Sequence, residues 1–294
     1  MGPGVAGYLI VIGAAFAVTF VSMPFLRSLS LRVGAVVQPD ARRVHKVPTP
    51  ILGGAGILAG VLVGLLAAWL SGEFAPVFRT IAPPLGVVLA ATVIWGVGQI
   101  DDLRELSPPA KLAGIVLAGS ILSIAGVSII FFRIPFFGLY ALSPDLSALI
   151  TVVWVAGMVN AINLIDGLDG LAAGIVAIAA FSFLLYGEVL DDLGAIDQAN
   201  IGPLVAAAVV GACLGYLPWN FHPARIFMGD AGALVLGLLM AAITIGIGGI
   251  DTRRLTRAIR QQFPQVRVSG FVQPPERRPR DPFVAESIHH AARP

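Results

Sequence analysis

Apolar residues run through this chain in blocks about 20 long, and polar residues collect in the short stretches between them. Eight blocks stand out, near 5–26, 51–70, 81–100, 110–132, 146–165, 171–190, 201–219 and 233–250. A helix needs about 20 mostly apolar residues to cross a bilayer, so the pattern predicts an all-α integral membrane protein of about eight transmembrane helices. Gly and Pro interrupt several blocks, which membrane helices tolerate better than soluble ones. Gly56, Gly60 and Gly64 recur every fourth residue. That spacing predicts close helix packing rather than a nucleotide loop, because no strand precedes it. The run from Ile129 to Leu142 is aromatic and β-branched and is broken by Pro135 and Gly138. It predicts a short external β-hairpin or interfacial loop near 128–142. No repeat of 20–50 residues is visible.

Composition sharpens this picture. Of 294 residues, 57% are hydrophobic and 12% charged, with mean hydropathy +0.88. Soluble domains carry about 25% charge, so a soluble globule is excluded. The pI of about 9.0 invites a nucleic-acid reading. However, residues 1–250 hold 10 basic against 13 acidic side chains, while 251–294 hold 9 against 4. The basic character therefore belongs to the end of the chain, and the body has no basic stripe for nucleic acid. Two units follow: a multi-span membrane domain over 1–250 and a Pro/Arg-rich basic tail over 251–294. The one cysteine, Cys213, precludes an intramolecular disulfide and a cysteine metal site. The N-terminus, MGPGVAG, lacks the charged start of a signal peptide and the Ser/Thr of a myristoylation signal. Its first apolar block is expected to stay as a span.

Loop charge predicts the orientation. Arg27, Arg32, Arg42, Arg43, Lys46, Arg104, Lys111 and Arg225 lie on one side, and only Arg79 and Arg133 on the other. The basic side is cytoplasmic by the positive-inside rule. The protein is then a multi-pass cell-membrane protein with its N-terminus outside. Asp40, Asp101, Asp102, Glu105, Asp166, Asp169 and Asp230 share that cytoplasmic face, most of them close to a span end. Ionisable groups at such depth are costly unless paired or metal-bound.

Four segments carry the candidate chemistry. Arg42–Pro50 leads into Gly53–Gly54 and joins cations, His45 and prolines in a candidate anion-binding loop. Gly98–Arg104 holds the pair Asp101 and Asp102, which stay ionised together only beside a cation or donor. Asn160, Asn163 and Asp166 recur every third residue on one helix face, and Asp169 repeats the spacing. Such oxygen donors suit a hard cation such as Mg2+. Asn220–Gly232 supplies His222, Arg225 and Asp230, and Asp230 is also placed to N-cap the last span. Oxygen donors together with Lys and Arg suit a phosphate substrate.

The segments HKVPTPILGG, GQIDDL, NAINLIDGLDGLAAG and NFHPARIFMGDAG, in this order, resemble those of the polyprenyl-phosphate N-acetylhexosamine-1-phosphate transferases, members of glycosyltransferase family 4. The resemblance covers roughly residues 5–250 and leans towards the GlcNAc-1-phosphate branch. It implies that a polyprenyl phosphate attacks the β-phosphorus of a UDP-sugar, giving a polyprenyl-diphosphate sugar and UMP with Mg2+, or Mn2+ in its place. Asp230 with Asn163 would hold the metal, and Asp101 and Asp102 would serve the lipid phosphate as base or positioning groups. Asp166 and Asp169 would line the donor site, with Lys46, His45, Asn160 and Arg225 also on substrate. The partners implied are the UDP-sugar, the polyprenyl phosphate and membrane lipid, with a homodimer left open. The tail departs from the family pattern, which continues through further spans to a His-x-His-His loop. His289 and His290 are lesser candidates for that loop, a solvated tail being the readier reading. Eight spans would also leave the basic tail outside, so either a returning span is missing or the last block stops short of crossing. The rivals are a phospho-MurNAc-pentapeptide transferase, a proton- or cation-coupled transporter, and an inactive truncated relative. Transporters hold carboxylates near mid-span, whereas these gather at span ends.

Overall fold

The structure is a computed structural model and describes residues 3–37, 48–134 and 138–248. Its long helices are α1 (Val5–Val33), α2 (Gly53–Ser71), α4 (Ala82–Arg104), α5 (Pro108–Ile124), α6 (Pro144–Ile165), α7 (Leu171–Asp192), α8 (Gly202–Asn220) and α9 (Gly229–Gly248). A one-turn helix α3 (Ala75–Phe78) links α2 to α4. Among the described residues, seven helices are long and apolar enough to cross a membrane, and α5 is a shorter apolar helix of 17 residues. The block at 110–132 is thus cut short. Gly126 takes φ 89 and the Val127 amide turns back to the Leu122 carbonyl, so the chain leaves the helix there.

The predicted hairpin follows. Strands β3 (Phe131–Ile134) and β4 (Gly138–Ala141) pair antiparallel, with Phe131 opposite Ala141 and Ile134 opposite Gly138. A two-residue pair, β1 (Val36–Val37) with β2 (Thr49–Pro50), flanks residues 38–47 and was not evident from the sequence pattern.

The helix boundaries have local causes. Proline stands in the first turn of α4, α5, α6 and α8, where its fixed φ favours a start and its missing N–H is not needed. The Ser143 hydroxyl accepts from the Leu146 amide to cap α6. Helix α1 continues past Pro24, which membrane helices tolerate, and ends at Gly34 in a left-handed cap. Arg27 and Arg32 therefore lie on a helix rather than in a loop.

Helices α8 and α9 are apolar all round and are buried on nearly every side, while α1 and α6 leave most of their apolar surface outward. An all-round apolar helix belongs in the centre; the outward Leu, Ile and Phe of α1 and α6 belong against lipid. Packing between such helices depends on small residues that let backbones approach. The Gly56–Gly60–Gly64 stripe performs this role against α1. A Cβ at Gly60 would collide with the Thr19 hydroxyl, and one at Gly64 would sit 3.2 Å from Ala15 Cβ.

Successive long helices alternate in direction. One end of the bundle therefore gathers the C-termini of α4, α6 and α8 with the N-termini of α5, α7 and α9. The opposite end carries α3, the hairpin and the last residue described, Gly248.

Candidate functional site

The site is assembled where α4, α5, α6 and α9 meet. Asp102, in the last turn of α4, accepts hydrogen bonds from the Asp230 amide at 2.7 Å and the Ala231 amide at 3.1 Å. It thereby satisfies two of the orphan N–H groups at the start of α9, where the helix dipole also favours negative charge. Gly229 takes φ 66, and a Cβ there would run into the Asp102 carboxylate. Gly98, one turn earlier on α4, lets the helix lie directly on the Ala231 backbone. The cap of α9 is thus supplied by Asp102. Asp230 was expected to cap this helix; it lies inside its first turn instead, with its side chain committed elsewhere.

Asp230 points to Lys111 and Asn163. The Asn163 amide donates to Asp230 Oδ1 at 2.8 Å, and Lys111 donates to Asp230 Oδ2. The same ammonium lies 2.8 Å from Asp101 Oδ2 and 3.5 Å from Asn163 Oδ1. Asp101 also accepts from the Leu106 amide at 2.6 Å, which folds the α4–α5 turn beneath it. Lys111 therefore joins α5 to three other helices, around two carboxylates. In the sequence Lys111 stands out only as a loop cation. Its signal was the position just inside α5, at the same end as the acidic pair.

Asp166 ends α6 at the edge of this cluster. Its carboxyl is pushed up to about 7, first by burial and then by the charges of Asp230 and Asp102. The cluster thus holds more negative charge than Lys111 balances, a setting that favours a further cation.

A second set of contacts shapes the α8–α9 loop. Asp169 accepts from the Ala224 amide at 3.0 Å, and its carboxylate lies 2.9 Å from His222 Nδ1. Asn220 accepts from the Gly170 amide at 2.9 Å and donates to the Ile226 carbonyl at 3.1 Å, which Tyr216 also reaches. The Phe227 and Met228 carbonyls receive the Gly53 and Gly54 amides, each at 3.0 Å. The loop leading to Asp230 is therefore fixed from α2, α8 and the α6–α7 loop. Asn220 opens one of the four segments but carries no assigned role there, and Tyr216 has no sequence signal because it sits in an otherwise apolar helix.

The expected residues separate as follows. Asp101, Asp102, Asn163, Asp166 and Asp230 come together, with Asp169 beside them on the adjoining loop. Asn160 is exposed and donates to the Ala156 carbonyl of its own helix, apart from Asn163. The Arg225 guanidinium lies over the Trp219 ring, 5.9 Å from its centre. His45, Lys46, His289 and His290 lie outside the described residues, as does the tail.

Among the described residues, no three His, Cys, Asp or Glu side chains converge to hold a metal alone. The donor set nonetheless fits Mg2+, which takes one or two carboxylates and completes its shell with water and substrate phosphate. Asp230 and Asn163 offer oxygens for it in a region of uncompensated negative charge.

The sequence model described as glycosyl transferase family 4 matches residues 84–248. Decaprenyl-phosphate N-acetylglucosaminephosphotransferase of Mycobacterium tuberculosis is 38% identical over 248 residues, covering 82% of this chain and 60% of that protein. A probable undecaprenyl-phosphate N-acetylglucosaminyl 1-phosphate transferase of Bacillus subtilis is 34% identical over 243 residues, covering 81% and 63%. The phospho-N-acetylmuramoyl-pentapeptide-transferase of Mycolicibacterium smegmatis is 34% identical over 273 residues, covering 81% and 75%. The chain spans about three-fifths of the length of the first two relatives.

Proposed function

The chain belongs to glycosyl transferase family 4, and from that premise we propose that it transfers an N-acetylhexosamine-1-phosphate, GlcNAc-1-phosphate in the first instance, from a UDP-sugar to a polyprenyl phosphate. The observation that carries this reading is the meeting of Lys111, Asp101, Asp230 and Asn163 at one end of a membrane bundle. That end joins a lipid-facing surface to a polar centre, as a lipid phosphate and a water-soluble donor require. We place it on the cytoplasmic side of the cell membrane from the loop charges, because UDP-sugars are cytoplasmic.

In the reaction an oxygen of the polyprenyl phosphate forms a bond to the β-phosphorus of the donor. The bond from that phosphorus to the bridging oxygen breaks, and UMP leaves with the electron pair. A phosphate monoester has its second pKa near 6, so at pH 7 the nucleophile is already largely ionised. Asp102, engaged with two backbone amides, fixes the start of α9 and thereby aims Asp230. Asp101 holds Lys111 towards the reacting phosphates, where a fixed cation stabilises developing negative charge. Asp230 and Asn163 would hold Mg2+, which when bound would neutralise charge on the donor diphosphate. Asp169 and His222 shape the loop beside the nucleotide.

The donor is the finer question, because relatives named for both GlcNAc and MurNAc-pentapeptide transfer resemble the chain. Membranes containing the protein are offered labelled UDP-GlcNAc or UDP-MurNAc-pentapeptide with polyprenyl phosphate. The reading expects butanol-extractable label from UDP-GlcNAc; label from the pentapeptide donor alone would replace it with the second.

A further inference from the structure

Outside the site, one surface combines aromatic rings, an unpaired cation and the expected depth of a membrane boundary. Phe16 and Phe20, one turn apart on α1, stack with ring centres 5.7 Å apart and planes 6° from parallel. The Phe20 ring lies 5.6 Å from that of Trp219 in the last turn of α8, and the Arg225 guanidinium lies over Trp219. The four side chains form a file from the middle of α1 to the loop beyond α8.

Phe16, Phe20 and Arg225 are exposed. Among the described residues Arg225 makes no ion pair with a carboxylate, its ring contact aside. Arg27, also exposed, follows Phe20 by seven residues and so lies on the same stripe of α1, two turns nearer the site end. Neither α1 nor α8 carries an Asp or Glu along its length. The face is therefore apolar below and cationic above, with no acidic residue on either helix.

We propose that this α1–α8 face docks an anionic phospholipid, its acyl chains along Phe16 and Phe20 and its phosphate on Arg225. The chemistry is that of an interfacial anchor: a Trp ring favours the headgroup boundary, and a long cationic side chain lays its stem on apolar surface while its head meets phosphate. Its place over Trp219 holds the guanidinium beside the aromatic file, where its N–H fork can meet phosphate oxygens. Arg225 stands in the loop that Asp169 grips through Ala224 and that runs on to Asp230. An occupied headgroup site would order that loop from the lipid side. This goes beyond the transfer reaction and does not depend on turnover.

The test is native mass spectrometry of the purified full chain, delipidated and titrated with phosphatidylglycerol or phosphatidylcholine. Arg225→Gln is compared with Arg104→Gln, an exposed cation on the last turn of α4. The expected result is that Arg225→Gln lowers the preference for phosphatidylglycerol about fivefold, as one interfacial cation does, while Arg104→Gln leaves it unchanged. Polyprenyl phosphate should not displace the bound phosphatidylglycerol. An unchanged preference in Arg225→Gln, or equal losses in both variants, overturns the proposal. So does one-for-one displacement by polyprenyl phosphate, which makes the face an acceptor port. Weakened UMP binding with lipid binding intact also overturns it, by moving Arg225 to the nucleotide.

Discussion

Asp102 caps the helix that carries Asp230: its carboxylate accepts the Asp230 and Ala231 amides at 2.7 and 3.1 Å across 128 residues of sequence. Adjacent acids in the sequence thus have different tasks, Asp102 holding backbone and Asp101 holding Lys111. Asp102→Ala leaves two part-buried amides of α9 unsatisfied, a cost of about 1–3 kcal/mol. In detergent its unfolding midpoint should fall by roughly 2–12 °C. Asp230→Asn, which removes no cap, should stay within about 1 °C of wild type by the same scale. Equal shifts in the two variants would contradict the assignment.

Gly229 belongs to the same contact. Its φ of 66 and the Asp102 carboxylate both oppose a side chain there. Gly229→Ala should lower stability by at least about 1 kcal/mol and reduce activity with it, whereas Gly157→Ala, at a helical glycine with open space around its Cβ position, should not. Thermal unfolding of the two variants decides this.

Lys111 faces Asp101, Asp230 and Asn163 at once. Lys111→Met should lower kcat on the order of 10²-fold, the scale of losing one charged group aimed at a reacting centre. Lys111→Arg should recover part of it. A Met variant within a factor of three of wild type would leave Lys111 a structural cation only.

Asp166 gives a pH dependence with a defined sign. Its carboxyl is ordinary in the unfolded chain and is raised to about 7 in the folded one. The folded state therefore binds the proton more tightly. The resulting stability is full below about pH 4 and is lost as pH rises through about 7. In EDTA the unfolding midpoint should fall between pH 5 and 8, and Asp166→Asn should flatten that fall. A Mg2+ titration should flatten it too, because a bound cation restores the charged form. An Asp166→Asn curve that parallels wild type would contradict the assignment.

The extent of the fold legible in the sequence follows from what each element depends on. Long apolar blocks and the Pro/Gly-broken aromatic run depend on local composition, so the helices and the hairpin at 131–141 could be read directly. The shortening of α5 could not, because the block stays apolar past Gly126 while the backbone turns. The acids of the site were legible as charges at span ends. The pairing of Asp102 with α9 was not, since it depends on Gly98 and Gly229 bringing two distant helices into backbone contact. Lys111 was hidden for a related reason: a basic residue beside a span has a ready topological explanation. The separation of Asn160 from Asn163 was not legible either, because a spacing of three aligns residues on a face but leaves a side chain able to bond its own helix.

Asp169 tests the loop. Asp169→Asn retains an acceptor for the Ala224 amide, whereas Asp169→Ala leaves that amide and His222 without it. The Ala variant should raise KM for the UDP-sugar about tenfold, the effect of one lost charged hydrogen bond, and the Asn variant should recover most of this. Equal behaviour of the two variants would count against a positioning role.

The most direct measurement of the transfer reaction is UMP exchange: membranes holding the protein, labelled UMP, UDP-GlcNAc, polyprenyl phosphate and Mg2+. The reaction is reversible at the diphosphate, so label should enter UDP-GlcNAc only when lipid acceptor and Mg2+ are both present, and Asp230→Asn should abolish it while remaining folded. Absence of exchange by the wild-type chain beside an active relative, or exchange undiminished in Asp230→Asn, would contradict the account.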